Sequence, residues 1–157
     1  MTLYAESSAV LAWLLGDAGG DAVRQHLSSG ELVVASDLTV VECARVLARG
    51  TALGDLSEAD AASRTAELQT AAAHWTLLRL GGEVIDRARQ RFPHEPVRTL
   101  DALHLASSLV AKSASPDLVV LSLDERVRRN ARTLGFEVVP AEAPLPSAAA
   151  EEALPSL

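Results

Sequence analysis

The sequence predicts an α/β fold: a single domain in which a central parallel sheet is flanked by helices. A chain of 157 residues suits one sizeable hydrophobic core. Short apolar runs, clearest at 32–36 and 118–121, alternate with longer helical segments. Nearly continuous apolar runs of this length are typical of strands that are covered on both faces. Alternating strands and helices favour a parallel sheet, in which function lies at the carboxyl ends of the strands.

Element boundaries follow from the apolar periods and from the residues that start and stop helices. Strands are expected at residues 2–5, 32–36, 118–121 and 136–139. Helices are expected at residues 9–15, 21–28, 38–53, 57–80, 83–92, 98–109 and 124–134. The expected capping residues are Ser7 or Ser8, Ser36 or Asp37, Ser57 and Thr99. The domain is expected to span residues 1–140, and the Ala-, Pro-, Glu- and Ser-rich segment 141–157 to be a flexible tail with at most a short helix at 148–154.

Composition limits the classes of function. The formal net charge of -7 argues, taken alone, against a nucleic-acid binder. No apolar run reaches the length of a membrane span and no signal-peptide pattern is present, so we expect a cytoplasmic protein without membrane contact. The single cysteine, Cys43, excludes an internal disulfide and a cysteine zinc site, and its apolar surroundings indicate buried filler.

The stretch 98–109 is the most informative part of the chain. Leu, Ala and Ser dominate it, so it is typical of a buried helix. With Thr99 as the N-cap, Asp101 falls in the first turn, where the helix dipole favours a carboxylate. A charge at the mouth of a buried helix is costly unless a positive group pairs with it. Asp101 is therefore expected to face a cation or a basic side chain.

Three further carboxylates hold comparable positions. Glu6 and Asp124 each end a predicted strand, and Glu42 lies on the helix after the second strand. Because the carboxyl ends of parallel strands meet at one edge, these residues and Asp101 are expected to converge on one cleft. Clustered carboxylates resist ionisation unless a cation is present, and oxygen ligands suit Mg²⁺ or Mn²⁺. Such ions activate water and hold phosphate oxygens.

Each acid also has a simpler interpretation. Glu42 could pair with Arg45 or Arg49 on its own helix. Asp101 and Asp124 could be ordinary helix-start residues, and Glu6 a surface residue at a strand end.

The four acids lie in four short motifs, which are LYAESSA at 3–9, SDLTVVE at 36–42, LDALHLA at 100–106 and SLD at 122–124. Together they resemble the acidic motifs of PIN-domain ribonucleases, especially the VapC-type toxins of prokaryotic toxin–antitoxin pairs. The resemblance runs from about residue 2 to residue 140. The sequence departs from the family at Glu6, where an aspartate normally stands.

The resemblance implies a Mg²⁺-dependent ribonuclease, the toxin of such a pair, that hydrolyses RNA with metal-activated water. Glu6, Asp101 and Asp124 would hold the metal or its waters, and Glu42 would complete the acidic pocket or a second metal site. It also implies a homodimer and a protein antitoxin that blocks the cleft. The longer side chain of Glu6 keeps the charge and both oxygens, so we expect metal binding to survive.

Residues near the acids are weaker candidates for substrate binding. Ser8 could bond a phosphate or a carboxylate, although a capping role is favoured. Ser122 could orient Asp124, and Arg98 could contact phosphate or cap the preceding loop. His104, one helical turn from Asp101, is expected to be packed and hydrogen-bonded and not a metal ligand. Two tryptophans are expected in the core or at an interface: Trp13 and Trp75.

An arginine cluster follows Asp124. Its members are Arg126, Arg128, Arg129 and Arg132. Arg126 and Arg129 share one helix face, and we predict that this pair attracts RNA phosphates; the other two would meet the antitoxin or keep the helix solvated. The alternative is that all four form a solvated face.

Two rival functions remain open. The first is a catalytically weak or inactive PIN-like module that binds RNA or a protein, which the departure at Glu6 favours. The second is a phosphoacceptor signalling domain. Such a domain needs a lysine near the end of its last strand, whereas the single lysine here, Lys112, falls on a predicted helix.

Overall fold

The computed structural model describes residues 1–142, and a five-stranded sheet forms its centre. The strands are β1 (Thr2–Ala5), β2 (Leu32–Ser36), β3 (Thr76–Leu78), β4 (Val119–Leu121) and β5 (Val138–Val139). All neighbouring pairs are parallel, in the order β3-β2-β1-β4-β5. Leu3 in the central strand lies opposite Val33 on one side and Val119 on the other. The predicted α/β class and parallel sheet are confirmed.

Seven helices in the described region connect and cover the strands. They are α1 (Ser7–Leu15), α2 (Gly20–Ser29), α3 (Asp37–Leu53), α4 (Glu58–Ala72), α5 (Gly82–Ala88), α6 (Thr99–Ala114) and α7 (Glu125–Thr133). None of these helices has the length and apolar composition that crossing a membrane requires. The predicted tail falls outside the described residues except for 141 and 142, and the predicted helix at 148–154 lies wholly outside them.

The predicted helix at 57–80 is wrong in its last third. Helix α4 ends at Ala72, and the following residues form edge strand β3, in which Thr76 lies opposite Val34 of β2. Local preference for helix in this Ala- and Leu-rich stretch is overridden by pairing with the exposed edge of β2. The predicted helix at 83–92 is also too long, because α5 ends at Ala88 and Phe92 turns into the core.

Two of the predicted caps are confirmed. Ser36 accepts a hydrogen bond from the backbone N–H of Thr39 at 3.4 Å, and Ser57 accepts one from that of Asp60 at 3.0 Å. The cap predicted at Thr99 is wrong, because Thr99 is itself the first helical residue of α6. Arg98 is its N-cap, without a side-chain capping bond. Its side chain is therefore free for another contact.

Both faces of the sheet are packed. Tyr4 of β1 points toward α6 and joins a cluster with Leu105 and Val120, whereas Leu3 points to the opposite face and packs with Ala9 of α1. This two-sided burial explains why the strands contain little polar alternation.

Cys43 lies on the same face of the sheet as Leu3, beside Ala5. Burial, followed by the charges of Glu42 and Glu6, raises its pKa to about 12. It is inert filler, as predicted. The tryptophans also pack as expected: Trp13 and Trp75 lie against the core.

Candidate functional site

Two carboxylates meet at the carboxyl edge of the sheet, on different helices. Asp101 lies in the first turn of α6. Asp124 caps the start of α7, where its Oδ1 accepts from the backbone N–H groups of Arg126 at 2.8 Å and Val127 at 3.3 Å. Arg98 joins the two acids, because its Nε lies 3.2 Å from Asp101 Oδ2 and its Nη2 lies 3.7 Å from Asp124 Oδ2. One guanidinium therefore bridges Asp101 and Asp124, which we call the outer pair.

Asp101 of the outer pair lies in surroundings that disfavour its ionised form. Asp101 is 8% exposed, and burial raises the pKa of its carboxyl. The negative charge of Asp124 raises that pKa further, whereas Arg98 opposes the increase. The net shift is upward, so the half-exposed guanidinium does not fully offset burial and the neighbouring charge. An additional cation at this position would favour ionisation of Asp101.

The donor set of the outer pair suits a hard divalent ion. Mg²⁺ is commonly held by one or two carboxylates, while waters and substrate phosphate complete its coordination. Within residues 1–142, no group of three His, Cys, Asp or Glu side chains is gathered closely enough to hold an ion by itself. The outer pair nevertheless already binds one positive group, Arg98, through an oxygen of each acid. We conclude that these two residues fit Mg²⁺ or Mn²⁺ when water and phosphate oxygens complete the shell.

Glu6 lies deeper and is 3% exposed. It is itself the N-cap of α1, with Oε1 accepting from the backbone N–H of Ser8 at 3.0 Å. The expectation that Ser7 or Ser8 caps this helix is wrong, because α1 follows β1 after a single residue and the Glu6 carboxylate reaches the free N–H first. Its Oε2 accepts from the hydroxyl of Ser122 at 2.7 Å.

Glu42 belongs to a second, inner group of polar side chains. His104 Nε2 donates to Glu42 Oε1 across 2.6 Å, and the hydroxyl of Tyr4 lies 3.0 Å from His104 Nδ1. Burial alone would lower the pKa of His104, but the hydrogen bond to Glu42 and the charges of Glu6 and Glu42 raise it overall. His104 is therefore a packed, hydrogen-bonded histidine, as predicted. Glu42 pairs with this residue of α6 and not with an arginine of its own helix.

Two members of the inner group were not expected from the sequence. Ser7 Oγ lies 3.0 Å from Oε1 of both Glu6 and Glu42, so it connects the two inner acids. Its place directly after Glu6 suggested only a capping role. Tyr4 gave no signal at all, because a tyrosine in an apolar strand is ordinary core. Burial is the main cause that raises the pKa of its hydroxyl well above the usual range.

The arginine cluster does not separate into the two predicted pairs, because three of its members are exposed and one is buried. Arg126 is exposed, and its Nε lies 3.8 Å from Asp124 Oδ1, so Asp124 has Arg98 on one side and Arg126 on the other. Arg129 is exposed on the surface of α7. Arg132 is also exposed and pairs with Glu125 at 3.2 Å.

The prediction that Arg128 is solvated or meets a partner is wrong, because its side chain is fully buried. Its Nη1 donates to the carbonyl of Ser122 at 2.6 Å, and its Nη2 donates to the carbonyl of Pro140 at 2.8 Å. Arg128 thus ties the end of β4 to the end of β5.

The position of Lys112 argues against a phosphoacceptor domain. Its Nζ donates to the carbonyl of Gly135 at 2.5 Å and lies 4.3 Å from the centre of the Phe136 ring. Both residues precede β5, so they lie at the amino end of the sheet, away from Asp101 and Asp124. No lysine in the described region can serve the acidic edge, because the chain contains only this one.

Comparison with known proteins identifies the family of this chain. The model of the PIN domain family matches residues 3–133. The chain is 34% identical over 138 residues to Ribonuclease VapC46 of Mycobacterium tuberculosis, which covers 87% of this chain and 95% of the relative.

Solved structures share the fold. The sarcin–ricin loop cleaving toxin VapC20 of Mycobacterium tuberculosis superposes with a TM-score of 0.61 at 14% identity, covering 85% of this chain and 95% of that one. A chain of the VapBC2 complex from Rickettsia felis, bound to a DNA fragment from its promoter, gives a TM-score of 0.58 at 6% identity, covering 88% and 97%. From the family match and the identity to a curated relative, we conclude that the chain belongs to the PIN domain family.

Proposed function

We propose that the chain is a Mg²⁺-dependent ribonuclease that hydrolyses RNA phosphodiester bonds and acts as the toxin of a toxin–antitoxin pair. The observation that carries this proposal is the outer pair, in which two carboxylates bind one cationic group beside a second exposed arginine. A relative of 34% identity over most of the chain is named a ribonuclease, which supports RNA as the substrate.

The acidic residues proposed to serve the reaction are Glu6, Glu42, Asp101 and Asp124. Asp101 and Asp124 present oxygens at the carboxyl edge of the sheet and would hold Mg²⁺ or Mn²⁺. Glu42 completes the acidic pocket, and its pairing with His104 orients its carboxylate. When bound, the ion supplies an activated water and a clamp on phosphate oxygens. Glu6 lies behind the outer pair and accepts hydrogen bonds from the hydroxyls of Ser8 and Ser122.

The exposed arginines are proposed to hold the RNA. Arg98 and Arg126 flank Asp124 with guanidinium groups that match the geometry of phosphate oxygens. Arg129, three residues after Arg126 on the same side of α7, would attract a neighbouring phosphate. Ser8 and Ser122 were predicted to contact substrate, but their hydroxyls donate to Glu6, so we assign them to its support.

Two partners are proposed. One is a protein antitoxin that covers the outer pair, and the other is a second copy of the chain. Exposed apolar side chains on α3 offer a surface for contact: Val41, Val46 and Leu53 are 55%, 38% and 64% exposed. The proposed place of action is the cytoplasm, where cellular RNA is accessible.

A second candidate function is a PIN module that binds RNA or protein without cutting. It is favoured by Glu6, because its Oε2 already accepts hydrogen bonds from Ser8 and Ser122 and its Oε1 accepts one from the backbone N–H of Ser8.

Cleavage of a mixed-sequence RNA separates the two functions. The wild type is expected to cut in millimolar Mg²⁺ and to stop in chelator, whereas Asp101→Asn is expected to be inactive in both. Asp117→Asn, at an exposed turn before β4, is the matched control and should keep wild-type activity. Absence of cutting by the wild type, with RNA binding retained, would favour the non-catalytic module.

A further inference from the structure

Protein donors surround the Glu6 carboxylate. Oε1 accepts from the backbone N–H of Ser8 at 3.0 Å, and it lies 3.0 Å from the Ser7 hydroxyl, whose single proton it shares with Glu42. Oε2 accepts from the hydroxyls of Ser8 and Ser122, the latter at 2.7 Å. Each carboxylate oxygen offers about two acceptor positions, so these two hydroxyls fill Oε2. An ion that contacted Oε2 directly would have to displace one of them.

Two of the donors lead directly to Asp124. Ser8 Oγ accepts from the backbone N–H groups of Leu123 at 2.9 Å and Asp124 at 3.0 Å. Its own proton is then left for Glu6. Ser122 Oγ lies 3.2 Å from the Asp124 N–H and likewise gives its proton to Glu6. Glu6 thus orients both hydroxyls. The oxygens of these hydroxyls in turn accept hydrogen bonds from the backbone N–H of Asp124, which fixes the backbone that carries the Asp124 side chain.

The length of the glutamate side chain explains how the Glu6 carboxylate contacts Ser122. The carboxylate must extend from the end of β1 to Ser122, which follows the neighbouring strand β4. An aspartate would withdraw the carboxylate by one carbon–carbon bond, about 1.5 Å. The 2.7 Å contact with Ser122 would then exceed hydrogen-bonding distance unless the backbone moved.

We propose that Glu6 is a positioning residue that holds Asp124 through Ser8 and Ser122, in place of the direct metal ligation expected from the sequence. This inference rests on the proposed function, because it assigns Asp124 to the metal ion. It also gives the departure from the family's aspartate a structural purpose. The longer side chain links three elements of the fold, namely β1, α1 and the loop before α7.

The first test compares Glu6→Gln with Asp101→Asn in chelator, because both remove one negative charge from the site. A positioning role predicts that Glu6→Gln lowers the melting midpoint, since an amide has one acceptor oxygen for hydroxyls that need two. It also predicts that the amide resonances of Leu123 and Asp124 shift, whereas Asp101→Asn does not lower the midpoint. A raised midpoint for Glu6→Gln, or unmoved amide resonances, would overturn the proposal.

The second test uses Mn²⁺ as the probe and remains informative if Glu6→Gln folds poorly. Ser122→Ala removes a single donor, and it should shift the Asp124 amide resonance and weaken Mn²⁺ binding roughly 10-fold or more. Glu6→Asp should weaken Mn²⁺ binding similarly, because the shortened side chain loses its contact with Ser122. Wild-type affinity in both variants would overturn the proposal. Wild-type RNA cleavage is measured in parallel, so that failure of the proposed function is seen separately.

Discussion

Replacing Arg128 by methionine should destabilise the protein substantially, although this arginine lies in an exposed-looking basic cluster. The side chain is 0% exposed and donates to the carbonyls of Ser122 and Pro140 at 2.6 and 2.8 Å. Methionine has similar length but no donor, so each carbonyl loses a charged hydrogen bond worth about 1.5–3 kcal/mol. Burial of the guanidinium lowers its pKa, and removing that buried charge offsets part of the loss. We expect a net loss of about 2–4 kcal/mol in the free energy of unfolding.

Urea and thermal unfolding in chelator would measure this loss. For a chain of this length, about 1 kcal/mol corresponds to roughly 2–4 °C, so the midpoint should fall by about 4–16 °C. Arg129→Met is the matched control, because it changes the same residue type one position later on the exposed face of α7. The control should stay within about 0.5 kcal/mol of the wild type. An equally small change in Arg128→Met would refute the structural role assigned to this side chain.

Three further predictions concern charge. Burial and Asp124 raise the folded-state pKa of Asp101, so its ionised form costs stability above that pKa. Asp101→Asn should therefore melt higher than the wild type at pH 7 in chelator, and the advantage should shrink as the pH falls through that pKa. The folded-state pKa of His104 is also raised, so its stabilisation should be present below pH ~6.5 and lost as the pH rises through the folded-state value. Urea titrations should show that loss in the wild type and not in His104→Gln. Finally, Arg98→Ala and Arg126→Ala should each weaken binding to every RNA sequence and reduce the slope of log affinity against log salt by about 0.7, whereas unchanged slopes would place the RNA elsewhere.

The sequence was sufficient for the parts of the fold that local pattern determines. The buried strands β2 and β4 were identifiable from nearly continuous apolar runs, and the caps Ser36 and Ser57 from their side-chain chemistry. Strand β3 was missed because three residues at a sheet edge carry little signal of their own. Their conformation is decided by pairing with β2, a contact between residues about 40 positions apart.

The site was predictable as a set of acids but not as an arrangement. The motifs located the four carboxylates, yet only the fold separates the outer pair from Glu6 and Glu42. The link between Glu42 and His104 joins residues 62 positions apart and has no local signature. Arg128 shows the same limit, because the helical period places Val127 toward the core and gives no reason for an arginine beside it to be buried. Its burial depends on the carbonyls at the ends of two strands that only the folded sheet brings together.

The most direct test of the account is the affinity of the metal-free protein for Mn²⁺, measured by calorimetry in the wild type, Asp101→Asn and Asp117→Asn. The claim is that Asp101 and Asp124 form the cation site. It predicts saturable binding to the wild type and to the exposed control Asp117→Asn with equal affinity, and at least 10-fold weaker binding to Asp101→Asn. Equal binding by all three proteins would contradict the claim, because the ion would then be held somewhere other than the pair bridged by Arg98.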